Sequence, residues 1–192
     1  FGNTMKYIMM GTSSNFGNMF SMAGASLFLP FLPMLPIQIL LNNLLYDLSE
    51  LPIPLDRVDD DFLSTPQRWD MGFIRNFMVV FGLVSSVFDF LTFGALFYLL
   101  RASAEPFRTG WFLESVLTEL LILLVIRTRR PFFRSRPSRP LEIATALVTA
   151  VSVAVLYLPV NRFFGLQPLP LPALALLGGI TLAYVAASEL AK

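Results

Sequence analysis

Apolar residues gather in six stretches along the chain, separated by prolines and by clusters of charge. A bilayer core of about 30 Å takes around 20 apolar residues per helix, and this spacing predicts spans over residues 5–29, 37–51, 72–100, 111–126, 141–158 and 171–190. The first span ends at Pro30, Pro33 and Pro36, because proline lacks a backbone N–H and cannot extend the helical ladder. The second is short and polar and stops at Leu51-Pro52-Ile53-Pro54. That combination predicts a locally unwound helix, which lipid tolerates only where protein or a water-filled cavity surrounds the backbone. Residues 52–71 and 127–140 are too charged to sit in lipid and read as aqueous loops. The pattern predicts an all-α membrane protein with six transmembrane helices and no fixed-period repeat.

Composition removes whole classes of function. Of 192 residues, 55% are apolar and only 14% charged, with a mean hydropathy of +0.67, whereas an ordinary soluble chain is about a quarter charged. The expected partner is the lipid bilayer, and no nucleic acid. The chain has no Cys and no His, which excludes disulfides, thiol nucleophiles, Ser-His-Asp triads and imidazole or thiolate metal sites. Any metal it handles is held by oxygen.

The net charge of +1 says little, but the placement of charge says more. Arg127, Arg129, Arg130, Arg134, Arg136 and Arg139 crowd the loop after the fourth span, and the positive-inside rule puts that loop in the cytoplasm. Six spans then place both termini there, with eleven of the fourteen basic residues on the cytoplasmic side. The same arginines are candidates for contact with anionic lipid. Phe1 opens the chain and residues 1–10 lack the parts of a signal peptide, so a piece of a longer protein is expected.

Polar groups at membrane depth are costly and are functional candidates by default. Asn15 and Asn18 are three apart in the first span, and Asn43 and Asp47 four apart in the second, so each pair shares a helix face. Two antiparallel neighbours joined by a short turn could bring Ser13, Ser14, Asn15 and Asn18 against Gln38, Asn42, Asn43, Tyr46 and Asp47. The product would be a group of neutral oxygens around one carboxylate, the ligand set of a hard cation such as Mg²⁺ or Ca²⁺. The alternative is interhelical hydrogen bonding with no ion. Glu119 is close to mid-span and is the candidate for a further ion ligand or proton-linked group. Glu114 lies one turn from Trp111 and is expected to reach headgroups, and Asp89 to bond a neighbouring helix.

At this point the motifs resemble a known family. Asn3-Thr4-Met5-Lys6-Tyr7-Ile8, Ser13-Ser14-Asn15-Phe16-Gly17-Asn18, Leu32-Pro33 to Pro36-Ile37-Gln38 and Asn43-Leu44-Leu45-Tyr46-Asp47 resemble the fifth and sixth membrane helices of P-type cation-transporting ATPases. Phe62-Leu63 to Pro66, Arg68-Trp69-Asp70, Ser85 to Asp89, Gly110-Trp111-Phe112 and Arg127-Thr128 resemble the bacterial magnesium-importing subgroup. The resemblance implies the last six of ten membrane helices. It places Asn15 and Asn18 at fifth-helix ion positions, Asn43, Tyr46 and Asp47 at sixth-helix positions, and Glu119 near an eighth-helix position. It further implies Mg²⁺ as the transported ion, a bacterial cytoplasmic membrane, and a coupling role for loop 52–71.

The Asp-Lys-Thr-Gly phosphorylation motif and the Thr-Gly-Glu actuator loop of that family do not occur in this chain. The expectation is that ATP acts only in domains outside it, that its other partners are those domains and the first four helices, and that it has no catalytic residue. The competing expectation is a freestanding six-helix cation channel or accessory membrane subunit.

Overall fold

Prolines and short polar caps set the helix limits. In the computed structural model, which describes residues 1–59 and 69–192, all regular structure is helical among the described residues. The long helices are α1 (Gly2–Ala25), α2 (Pro36–Glu50), α3 (Met71–Gly94), α4 (Ala104–Ile126), α5 (Arg139–Ala154) and α6 (Leu171–Ala191). A π-helical turn, Ala95–Leu99, prolongs α3. Three of these segments, Met71–Leu99, Ala104–Ile126 and Leu171–Ala191, are long and apolar enough to cross a membrane. The motif residues Phe62, Leu63, Pro66 and Arg68 lie outside the described residues.

Two expectations change. Residues 36–50 form an unbroken helix rather than an unwound one. Pro36 sits in the first turn, where its missing N–H costs nothing, and Gln38 Oε1 accepts from the Leu35 N–H at 2.9 Å, capping the start. Farther along, Asn42 and Tyr46 turn inward and bond side chains of other helices. The fourth helix begins at Ala104, seven residues before the expected Trp111. Pro106 falls in its first turn, where proline is tolerated, and therefore starts the helix rather than belonging to the loop before it.

α4 is the axis of the bundle. Phe107, Trp111, Phe112, Leu113, Val116, Leu120 and Leu123 are all buried, and α1, α2, α3, α5 and α6 each pack on this helix. Around it α1 lies along α3, with the backbones close enough that a Cβ on Gly82 would stand 3.2 Å from Gly17 N and 3.2 Å from Ser13 O. α3 and α4 are locked by Phe93, whose ring meets Trp111 edge-on at 4.8 Å. No extended seam joins α1 to α2. The short turn between them does not make them packed neighbours.

Both termini lie at one end of the bundle. Phe1 stacks edge-on against Trp69 at 5.0 Å, and Lys192 Nζ donates to the Arg130 carbonyl at 2.5 Å. The ordering group at this end is the carboxylate of Asp56. Its Oδ2 accepts from Lys6 Nζ at 2.6 Å and from Arg127 at 3.3 Å, and its Oδ1 from the Ser138 N–H at 2.9 Å. One side chain thus ties the start of α1, the end of α4 and the start of α5 to the loop after α2. Arg127 is itself buried and also donates to the Ser135 carbonyl and hydroxyl. Its guanidinium serves the fold, which removes it from the set of arginines expected to meet lipid. Nearby, Asp59 accepts from the hydroxyls of Thr128 and Ser135.

Burial opposes the charge on Asp56, but the Lys6 hydrogen bond, the Ser138 N–H and the Lys6 and Arg127 charges outweigh it and hold the carboxyl below the usual carboxylate range. A depressed folded value stabilises the fold above the unfolded value, about pH 4, and the benefit is lost as pH falls through the folded value. Asp56→Asn strands two buried cations and is expected to cost about 3 kcal/mol. Thermal unfolding in detergent at several pH values measures this; the gap between wild type and variant should be full at neutral pH and close below pH 4.

Candidate functional site

Glu119 is near the middle of α4 and only 6% exposed. An ionised carboxylate in such a place needs donors, since a buried charge without partners is expensive. It has two, from different helices. Asn18 Nδ2 of α1 donates to Oε1 at 2.6 Å, and Asn42 Nδ2 of α2 donates to Oε2 at 3.1 Å. Ser115, one turn earlier on α4, donates to Asn18 Oδ1 at 3.4 Å. The carboxylate thereby bridges α1 and α2, which have no continuous contact of their own.

One turn toward the Asp56 end, Ser14 Oγ and Tyr46 Oη are 3.4 Å apart, a second bridge from α1 to α2. Tyr46 is buried, and so is Glu50, one helical turn farther on. Among the described residues, the Asn42 side-chain oxygen and Glu50 Oε1 are buried without a hydrogen-bond partner. The cluster therefore contains two oxygens with spare accepting capacity, beside a carboxylate whose amide donors hold it in place.

The other candidates lie elsewhere on the same helices. Asn15, Asn43 and Asp47 are exposed, on faces of α1 and α2 turned away from the cluster. Asn43 and Asp47 follow Asn42 and Tyr46 by one position each, which rotates them by about 100° around the helix. The structure thus brings together Asn18, Tyr46 and Glu119 and leaves Asn15, Asn43 and Asp47 apart from them. Among the described residues, no three acidic groups gather closely enough to hold a metal by themselves. A cavity of about 640 Å³ opens at the Asp56 end, between Lys6, Arg127 and the rings of Phe73, Phe77 and Phe81, and does not reach Glu119.

With this geometry in view, relatives give the context. Residues 31–192 match the family model for the C-terminus of cation-transporting ATPases. The chain belongs to that family. It is 45% identical over 197 aligned residues to the magnesium-transporting ATPase, P-type 1, of Escherichia coli, covering all of this chain and 22% of that relative. A Salmonella typhimurium protein of the same name is also 45% identical over 197 residues. Another from Salmonella typhimurium is 43% identical over 176 residues, covering 89% of this chain and 19% of the relative. The chain therefore spans about a fifth of these pumps, and it corresponds to the C-terminal transmembrane domain of the family.

In this C-terminal domain, three residues that the resemblance does not assign to ion binding are also deeply placed. Asn42 rather than Asn43 meets Glu119; the two are adjacent, and only the packing of α2 on α4 decides which turns inward. Asp89 is bonded by Ser21 at 2.6 Å and by Trp111 Nε1 at 2.8 Å, as the expectation of an interhelical bond required. Glu114, expected to reach headgroups, is instead fully buried. Because α4 starts early, Glu114 sits three turns inside the helix rather than at its end.

Truncating Glu119 leaves two amides without an acceptor, each worth about 1–3 kcal/mol when stranded in a dry site. Glu119→Ala is expected to lower the thermal midpoint in detergent clearly more than Glu119→Gln, which keeps one carbonyl acceptor. Equal midpoints for the two variants would show that this carboxyl does not bridge α1 and α2.

Proposed function

We propose that this chain is the ion-binding transmembrane part of an ATP-driven magnesium importer of the bacterial cytoplasmic membrane, with six spans and both termini cytoplasmic. The observation that carries the reading is the identity of 45% across the whole chain to magnesium-transporting ATPases, joined to a line of oxygen ligands on the helices that the resemblance assigns to ion binding. Mg²⁺ is then the transported substrate. It demands octahedral oxygen coordination but gives up its water reluctantly, so few protein ligands suffice.

In this reading Asp47 supplies the charge, and Asn15 and Asn43 supply neutral oxygens. All three are exposed here, yet a carboxylate facing lipid costs roughly 2.5–3.5 kcal/mol even on the lenient insertion scale. Another polar element must cover them, and the preceding helices of the full-length pump are its natural source. The Asn18–Glu119–Asn42 bridge and the Ser14–Tyr46 contact lie behind this face and fix the separation of α1 and α2. ATP hydrolysis belongs to the domains outside this chain, which contributes no catalytic residue. Arg129, Arg134, Arg136 and Arg139 are exposed beside the Asp56 end and are offered to anionic headgroups of the inner leaflet.

The test is Mg²⁺ uptake by the full-length pump carrying changes at Asp47. Asp47→Asn should cut uptake about tenfold or more, the factor that ~1.4 kcal/mol of lost binding produces, while Asp47→Glu should retain more because charge is preserved. Unchanged uptake in Asp47→Asn would overturn the assignment.

A further inference from the structure

Glu114 is an acid fully buried on α4, and among the described residues no donor reaches either of its carboxyl oxygens. Directly beside it is a second buried acid, Asp89 of α3. Asp89 is well supplied: Oδ2 accepts from Ser21 Oγ of α1 at 2.6 Å, and Oδ1 from Trp111 Nε1 of α4 at 2.8 Å. Trp111 and Glu114 are three residues apart on α4, so they present one face to Asp89. The other titratable groups that act on this volume are Glu119 of α4, with Glu50 of α2 beyond it, and the buried phenol of Tyr184 from α6. Among the described residues, no cation faces the pair.

Two carboxylates side by side in a dry site cannot both be ionised. The two partners are not equivalent. Asp89 has two donors and is built to carry the negative charge. Glu114 has none, so as an anion it would be unsolvated, whereas as an acid it gains an O–H whose nearest strong acceptor is Asp89. We propose that Asp89 and Glu114 form a proton-binding site holding one exchangeable proton between them, with the proton on Glu114 donated to the Asp89 carboxylate. The site is separate from the Asn18–Asn42–Glu119 cluster.

The test is infrared spectroscopy on the full-length protein reconstituted in lipid at neutral pH, a readout that needs no transport and so stands or falls independently of the magnesium reading. A protonated-carboxyl C=O band should be present, shift in D₂O, disappear in Glu114→Gln and persist in Glu119→Gln. Absence of the band, its survival in Glu114→Gln, its loss only in Glu119→Gln, or its failure to shift in D₂O would each overturn the proposal. Should Glu114→Gln not fold, Asp89→Asn removes the charged acceptor and should move the same band; an unmoved band would count against the site.

Discussion

Inside an apolar bundle every carboxylate must be met by donors, and this requirement organises the molecule around α4. Two buried acids, Glu114 and Glu119, project from a helix that is mostly core. Glu119 is satisfied by amides from two other helices, and its bonds hold α1 and α2 at a distance where they have little direct contact. Such a linkage is a polar bridge rather than a packed seam. Apolar packing fixes where α4 sits; the acids determine which faces of its neighbours turn toward it.

The Asp56 end works by the same rule with opposite means. There the buried acid is matched by two cations and a backbone N–H, so the loop after α2 is fastened to α1, α4 and α5. A force applied to that loop would reach the start of α1 and the end of α4 together.

Much of the fold was legible from length and composition alone, because bilayer thickness dictates how long an apolar stretch must be. Six long helices overlap the six apolar stretches, and three of them are long and apolar enough to cross a membrane. The errors came from local chemistry that pattern does not weigh. Pro106 looked like loop but occupies a helical first turn, and Pro36 with Gln38 made α2 continuous where polarity argued for unwinding. The site was legible to the level of residue type. Glu119 stood out as a mid-span acid, Asn18 as a polar residue of the first span and Tyr46 as one of the second. The choice between Asn42 and Asn43 was not legible, since adjacent residues differ only by rotation about the helix, and that rotation is set by packing on α4. Nor could spacing show that α1 and α2 meet through a third helix.

The central claim is that these helices serve an ATP-driven pump and not a pore. Its most direct test is Mg²⁺ flux into liposomes containing the purified full-length protein, recorded with and without hydrolysable ATP. The account predicts flux that requires ATP and stops when ATP is exhausted. Flux of equal size without ATP would contradict it and would assign the same helices to a passive channel.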